Sequence, residues 1–280
     1  MYSSPITRPV TLALFLLVSA FGSVAQAQPA QKPFEPYSGQ PGKDVVWVPT
    51  PQSLVDKMLN IAKVTTADYV MDLGSGDGRT VITAARRGVR ATGIEYNPEM
   101  VELSKQNAEK AGVTGKANFL KADLYETDFS QATVITMFLL PEINLKLRPK
   151  ILDLKPGTRI VSNTFTMGEW VPDESTTADE KEGCNYYCRS LLWIVPAKVQ
   201  GTWQMPQGGE LVLEQSFQTV AGTLKSDGKS QSFTSGKLRG DQFTFSVGGA
   251  EYSGKVSGNS MTGTVKGSSS PNWSATRASR

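Results

Sequence analysis

The chain has 280 residues, which is enough for one large or two modest domains. A formal net charge of +3 gives no argument for a nucleic-acid partner, and a composition with 39% apolar and 9% aromatic residues argues against general disorder. Because histidine is absent, Ser-His-Asp and Cys-His catalysis within the chain are excluded, and so is any zinc site that needs imidazole.

The N-terminal segment has the organisation of an export signal. Arg8 precedes the apolar run 10–24, and Ala25-Gln26-Ala27 gives a small-x-small cleavage pattern. We expect a signal peptide over residues 1–27 and a periplasmic or secreted mature chain without a stable transmembrane segment. The alternative is a membrane anchor formed by an uncleaved N-terminal segment. Residues 28–44, rich in Pro, Gln and Gly, are predicted to form a linker or arm.

Residues 45–197 alternate between strand-like and helix-like patterns. Ser53 is predicted to be the N-cap of the first helix, and Asn97-Pro98 to begin a later helix that Gly112 ends. The segment 141–157 is predicted to be helical with a break before Pro149. The predicted strands are 69–73, 90–96, 117–123, 133–140 and 158–165. Strands separated by helices of this length indicate an α/β domain with a doubly wound parallel sheet.

Residues 198–280 have a different composition. They hold 13 of the chain's 26 glycines among Ser, Thr and short alternating apolar runs, and the segment 235-SGKLRGD-241 returns as 253-SGKVSGN-259. Each copy has the pattern of one strand and its turn. We therefore predict a second, small all-β domain of antiparallel strands, closed as a barrel or packed as a sandwich. Its role, structural or ligand-binding, stays open.

The most informative motif is 70-VMDLGSGDGRT-80. A P-loop is excluded because Arg79-Thr80 follows the last glycine where Lys-Ser/Thr is required. The dinucleotide motif G-x-G-x-x-G is not matched either, because the third glycine comes one residue early. The carboxylate of Asp72 would repel a pyrophosphate, and it suits a ligand with a cationic group.

This pattern resembles motif I of the class I S-adenosylmethionine-dependent methyltransferases. The resemblance implies S-adenosylmethionine as cofactor, with Asp72 holding the turn or meeting the α-ammonium group. Glu95 would accept both ribose hydroxyls, Tyr96 would cover an adenine face, and Asp123 would bond the adenine amino group. The alternatives are a solvated strand end for Glu95 and a helix cap for Asp123. The residues expected to bind the cofactor are Asp72, Gly74, Ser75, Gly76, Asp77, Gly78, Glu95, Tyr96, Asp123 and Leu124.

A more specific resemblance extends over roughly residues 45–197. Segments 49–59, 72–79, 132–162 and 168–170 resemble bacterial relatives of the mitochondrial ATP-synthase c-subunit lysine methyltransferases. The resemblance implies a mostly parallel sheet of seven strands and a methyltransferase whose acceptor is unknown, either a protein lysine or a small molecule. The competing hypothesis is a non-catalytic exported binding or scaffold protein that retains a nucleoside-type pocket.

The fourth predicted strand ends in 138-FLLP-141, where methyltransferases that act on amide or base nitrogens often carry Asn/Asp-Pro-Pro-Tyr. The missing polar residue disfavours a DNA base or a glutamine as acceptor, and no nucleic-acid partner is expected. Glu142, Asn144 and Asn163 are candidates for a base, but no catalytic residue is predicted.

The two cysteines, Cys184 and Cys188, leave two possibilities open. They could close a small disulfide loop in an oxidising compartment, or they could be two reduced thiols. A metal site is not expected, because two sulfur ligands without a neighbouring histidine are too few.

Overall fold

The computed structural model describes residues 1–4, 34–226, 228–267 and 271–279. The apolar run and the cleavage motif of the predicted signal peptide lie outside these residues, as does the first part of the predicted linker. In the described ranges, no helix is both long enough and apolar enough to cross a membrane. The fold reported below is that of the unit Phe34–Arg280.

The first sheet has seven strands. They are β1 (Tyr69–Leu73), β2 (Arg90–Glu95), β3 (Ala117–Lys121), β4 (Val134–Met137), β5 (Arg159–Asn163), β6 (Glu174–Thr177) and β7 (Arg189–Ile194). Their spatial order is β3-β2-β1-β4-β5-β7-β6, and β7 alone runs in the direction opposite to the other six strands. This confirms the predicted doubly wound, mostly parallel sheet. The order reverses between β1 and β4, so a crevice opens there at the carboxyl ends of the strands.

Four α-helices belong to this sheet. They are α1 (Gln52–Ile61), α2 (Arg79–Arg86), α3 (Pro98–Lys110) and α4 (Pro141–Leu152). The start of α3 is as predicted, because the Asn97 side chain accepts the backbone N–H of Glu99 at 2.8 Å and Pro98 takes the first helical position. Gly112 follows its end with a φ of +68°, a conformation that favours glycine.

Two predictions about helix boundaries are wrong. Ser53 is not an N-cap, because the carbonyl of Pro51 already accepts the N–H groups of Leu54 and Val55 at 3.0 Å and the helix begins at Gln52. Pro149 does not interrupt α4, which continues through it to Leu152.

The tolerance of α4 for Pro149 has a physical reason. A proline inside a helix removes the bond to the carbonyl four residues earlier, here that of Leu145. Leu145 is 40% exposed, so water can reach that turn of the helix. Leu147 and Ile151 on the opposite face are buried in the core and hold the helix on the sheet.

The C-terminal part is a closed barrel of eight antiparallel strands. They are β8 (Gly201–Gln204), β9 (Glu210–Ser216), β10 (Thr219–Ser226), β11 (Lys229–Arg239), β12 (Gln242–Val247), β13 (Ala250–Ser257), β14 (Ser260–Lys266) and β15 (Asn272–Arg277). Pairing of β8 with β15 and of β9 with β10 closes the barrel, so the prediction of a barrel is confirmed over a sandwich. Side chains fill its interior, where the ring of Phe245 lies 4.5–5.7 Å by centroid from those of Phe233, Phe243, Tyr252 and Trp273.

The barrel packs against the α/β part through specific contacts. The rings of Trp170 and Phe217 stack at 5.9 Å with an interplanar angle of 8°. The side-chain amide of Gln218 donates to the carbonyl of Val171 at 2.7 Å. The predicted boundaries between linker, methyltransferase-like part and β domain, at 44/45 and 197/198, stay predictions.

Candidate active site

The carboxyl ends of β1, β2 and β4 border one cavity, which encloses about 1060 Å³ including the part open to solvent. Parallel strands of a doubly wound sheet place their ligands at this edge. Nine of the ten residues predicted to bind the cofactor line it: Asp72, Gly74, Ser75, Gly76, Asp77, Glu95, Tyr96, Asp123 and Leu124. Gly78 is the exception.

The glycine turn needs its glycines for two different reasons. All three, Gly74, Gly76 and Gly78, have positive φ angles between +54° and +82°. A Cβ on Gly76 would lie 2.4 Å from the indole nitrogen of Trp47, which also lines the cavity. A Cβ on Gly78 would lie 2.7 Å from the ring of Phe119, so this glycine serves the packing of the turn and does not line the cavity.

Glu95 is fixed at the end of β2 by two backbone donors. One carboxylate oxygen accepts the N–H of Gly76 at 2.9 Å, and the other accepts the N–H of Asn97 at 2.9 Å. Each oxygen retains a second lone pair that can accept a hydroxyl proton. The carboxylate therefore joins the glycine turn to the start of α3 and faces the cavity.

Asp72 lies deeper, with 6% of its surface exposed. Its carboxylate accepts the hydroxyl of Thr136 at 2.6 Å. Burial, together with the neighbouring carboxylates of Asp77 and Glu95, raises the pKa of this carboxyl to about 7, although the hydrogen bonds from Thr136 and Thr80 act to lower it. A cationic ligand group beside Asp72 would favour its charged form.

The two cations among the described residues that line the cavity are each paired with a carboxylate. Arg79 bonds Asp77 at 2.6 Å and also donates to the carbonyl of Thr50 at 2.8 Å. Lys43 forms an ion pair with Asp123, and this hydrogen bond holds the pKa of the Asp123 carboxyl below its usual value. In the described part of the chain, the cavity therefore lacks the cluster of uncommitted cations that a phosphate cradle needs.

The segment before α1 forms part of the cavity wall, which sequence reasoning missed. The N–H of Gly39 donates to the carbonyl of Trp47 at 2.7 Å, and the N–H of Trp47 returns a bond to Gln40 at 2.9 Å. The closed loop brings residues 40–50 to the cavity. Lys43 lies over the ring of Tyr96, with its ammonium 4.7 Å from the ring centroid.

Known proteins match the part of the chain that contains the glycine turn and the strand ends bordering this cavity. Residues 72–174 match the family model of the ANTKMT methyltransferase domain. The chain is 50% identical over 133 residues to a protein-lysine N-methyltransferase of Saccharolobus islandicus (strain REY15A), a match that covers 46% of this chain and 83% of that protein. This chain belongs to the class I S-adenosylmethionine-dependent methyltransferases.

Two further methyltransferases are similar. The chain is 36% identical over 131 residues to the ATP-synthase c-subunit lysine N-methyltransferase of Mus musculus, covering 46% of this chain and 53% of the relative, so it spans about half of that protein's length. A crystal structure of an RNA methyltransferase from Salinibacter ruber in complex with S-adenosyl-L-homocysteine is 44% identical, with a TM-score of 0.50, and covers 54% of this chain and 96% of that chain.

The cofactor of this methyltransferase is S-adenosylmethionine, and the cavity suits it. The cofactor carries an α-ammonium and a sulfonium and has no phosphate. The cavity presents the carboxylates of Asp72, Glu95 and Asp123, while its cations are already paired. A cationic nucleoside is therefore favoured over a nucleotide phosphate.

The side of the methyltransferase cavity at the end of β4 and the start of α4 is apolar. Met137, Phe138, Leu139 and Ile143 line it. The candidate bases lie elsewhere, because neither Glu142 nor the two asparagines are among the lining residues. The amide of Asn144 donates to the carbonyl of Thr166 at 3.2 Å, and that of Asn163 donates to the hydroxyl of Thr50 at 3.3 Å. Both asparagines thus hold loops in place.

The open question about the cysteines is answered. Cys184 and Cys188 form a disulfide, which closes a short loop just before β7. Cys184 is buried against the core.

Proposed function

We propose that this methyltransferase transfers the methyl group of S-adenosylmethionine to the side-chain amine of a protein lysine. The observation that carries the proposal is the 50% identity to a protein-lysine N-methyltransferase over 83% of that relative. The similarity to an ATP-synthase c-subunit lysine N-methyltransferase supports it. The four apolar side chains at the end of β4 and the start of α4, which we take as the acceptor side, agree, because none of them can hydrogen-bond a base edge.

The chain's own residues have three tasks in this reaction. The cofactor supplies an activated methyl group, which the lysine nitrogen displaces from sulfur to leave S-adenosylhomocysteine and one released proton. Glu95 and the glycine turn hold the nucleoside, and the carboxylate of Asp72 attracts the α-ammonium group of the cofactor. Met137 and Phe138 exclude water beside the reacting atoms. An apolar surrounding also lowers the pKa of an arriving amine, so that more of it is uncharged and nucleophilic.

We further propose that the ten predicted residues, from Asp72 to Leu124, form the cofactor site, with Gly78 acting through the packing of the turn. The methyltransferase domain is proposed to span 45–197 and the β domain 198–280. Removal of single cofactor-site side chains should change the affinity for S-adenosylhomocysteine.

The decisive experiment is methyl transfer from radiolabelled S-adenosylmethionine to an extract of the native host. Label that survives nuclease, disappears with protease and is recovered as methylated lysine after hydrolysis would support the proposal. Label in RNA would instead favour an acceptor of the kind named for the Salinibacter ruber methyltransferase. If the folded protein binds S-adenosylhomocysteine and labels neither class, the lysine proposal is wrong.

The proposed location is the periplasm or the exterior. The N-terminal export pattern supports it, and the Cys184–Cys188 disulfide is typical of an oxidising compartment. Because S-adenosylmethionine is made in the cytosol, the cofactor would have to be supplied outside or loaded before export. Cell fractionation with N-terminal sequencing tests the location. A mature chain that starts at Gln28 outside the cytosol is expected, and an intact N-terminus in the cytosol would contradict it.

A further inference from the structure

Three aromatic side chains meet beside the cofactor cavity. The ring of Phe138 lies 5.9 Å by centroid from that of Phe165 and 5.2 Å from that of Tyr187, and the last two rings are 5.8 Å apart. Phe138 lines the cavity. Phe165 is half-buried and Tyr187 is 44% exposed. The cluster therefore connects the cavity with the protein surface.

The pairing of β5 with β7 brings two of these rings together. Asn163 and Ser190 are register partners, and the N–H of Thr164, one residue beyond β5, donates to the carbonyl of Arg189 at 2.6 Å. Phe165 thus leaves β5 beside the disulfide loop that carries Tyr187. The antiparallel β7 places this loop at the same sheet edge as the cavity.

The backbone on each side of the cluster is held in an unfavourable conformation. Thr164 has a φ of +59° and Tyr187 a φ of +55°, in the left-handed region that residues with a Cβ rarely adopt. Such conformations persist where the surrounding structure determines them, and they concentrate at functional sites. Here the disulfide and the strand pairing fix both residues.

We propose that Phe138, Phe165 and Tyr187 line the entry through which the acceptor lysine reaches the cofactor. This inference rests on the proposed function. The aliphatic part of a lysine side chain packs on ring faces, and its ammonium, or the methylammonium product, is attracted by their negative π surface. The apolar lining near Phe138 favours the uncharged form of the amine. Rings that serve only core packing are covered, as Phe129 and Trp170 are.

The occupant is a lysine side chain because the cluster is continuous with the cavity in which the methyl group is transferred. Phe138 belongs both to the aromatic cluster and to the lining of the cavity. Tyr187 is partly exposed, so a substrate protein can approach it.

The test compares two ligands on the full chain with its disulfide intact. One is S-adenosylhomocysteine. The other is a bisubstrate analogue in which a nitrogen replaces the sulfur and carries the amino-acid arm together with a four-carbon amine arm. We expect the amine arm to increase the affinity measured by isothermal titration by about tenfold.

The variants distinguish an effect of the Tyr187 ring from a general effect of changing the disulfide loop. Tyr187→Ala should lose about three- to tenfold of the affinity for the bisubstrate analogue while binding S-adenosylhomocysteine within about twofold of the native chain. Tyr187→Phe should retain the gain because it keeps the ring. Tyr186→Ala is the matched control, since Tyr186 lies in the same loop and is 81% exposed.

The outcomes distinguish this inference from the proposed function. If the native chain binds S-adenosylhomocysteine but gains nothing from the amine arm, or if Tyr187→Ala keeps the full gain, the aromatic entry is wrong and the methyltransferase proposal stands. If the native chain binds neither ligand, the proposed function fails and this inference fails with it. Binding of S-adenosylhomocysteine by each variant also shows that the variant is folded.

Discussion

The ammonium group of Lys43 is ion-paired with the carboxylate of Asp123, which lies 80 residues further along the chain. Asp123 is the residue predicted to bond the adenine amino group. Lys43 also lies over the ring of Tyr96, which is predicted to cover an adenine face. The loop before α1 therefore places a cation between the two side chains expected to hold the base. A nucleoside that reaches Asp123 has to exchange with Lys43.

Replacement of Lys43 should reveal this competition. We expect Lys43→Met to increase the affinity for S-adenosylhomocysteine by about two- to fivefold at low salt, and the difference should shrink as added salt screens the pair in the native chain. Asp123→Asn should reduce the affinity. Isothermal titration at two salt concentrations measures both effects. Lys57→Met is the control, because Lys57 pairs with Glu182 away from the cavity; weaker binding by Lys43→Met would mean that the lysine assists the cofactor.

Glu95 should carry a large share of cofactor affinity. Glu95→Gln removes the charge that accepts ribose hydroxyls and weakens the bonds to Gly76 and Asn97. We expect the dissociation constant for S-adenosylhomocysteine to rise by about 5- to 100-fold. Glu99→Gln, on the exposed face of the following helix, should leave it unchanged. An unaltered constant in Glu95→Gln would remove Glu95 from the site.

Asp72 should lower the stability of the folded chain at neutral pH. Its folded pKa of about 7 lies above the unfolded value of 3.8, so the folded state holds the proton more tightly. The stability that this group contributes is present below pH 4 and is lost as pH rises towards 7. Asp72→Asn keeps an oxygen for Thr136, and we expect it to raise the thermal midpoint by several degrees at pH 8 and to have little effect near pH 4.

Asp68 provides a control in which the pH dependence of stability has the opposite sign. Burial acts to raise its pKa, but hydrogen bonds from Thr65, Thr133 and Arg159 outweigh burial and lower it. Its contribution is therefore present above the unfolded pKa and is lost as pH falls, so Asp68→Asn should destabilise the chain at pH 8.

Asp72→Asn should also bind S-adenosylmethionine more weakly. A lower thermal midpoint for Asp72→Asn at pH 8 would show that the charged carboxylate stabilises the fold.

The disulfide should stabilise its loop and the acceptor entry more than the cofactor site. Closing a five-residue loop contributes about 2 kcal/mol in the chain-entropy description. We expect the double variant Cys184→Ser/Cys188→Ser to lose up to that amount in urea unfolding, and its S-adenosylhomocysteine affinity should stay within about twofold. Reducing agent should reproduce the effect in the native chain and have none in the variant. A loss of cofactor binding would instead place the loop in the cofactor site.

The sequence predicted those parts of the fold that local chemistry determines. Asn97 and Pro98 specify the start of α3, and the apolar run before Gly74 specifies β1. The alternation of strands and helices was sufficient for the doubly wound sheet. The break predicted before Pro149 is wrong because the rule for the residue before a proline takes no account of tertiary packing. Leu147 and Ile151 are buried in the core and hold the helix together.

Contacts between distant segments could not be predicted in this way. The Lys43–Asp123 pair and the aromatic cluster join residues that no periodicity relates, and the closure of the Gly39–Trp47 loop depends on two backbone bonds. The sequence placed Phe138 at the end of the fourth strand, where the acceptor motif is expected, but gave no sign of its contacts with Phe165 and Tyr187. The single signal for Tyr187 was its position between two cysteines, which indicated a constrained loop without indicating what it faces.

The stacked pair Trp170 and Phe217 has a consequence for how the polypeptide can be divided. The indole of Trp170 is fully covered, and part of its cover comes from the turn between β9 and β10. A shortened chain that stops at Ala197 would expose the face of this indole that Phe217 covers, and it would be prone to self-association. The barrel and the catalytic half should accordingly melt in one calorimetric transition, and neither should be regarded as an independent module that tolerates exchange.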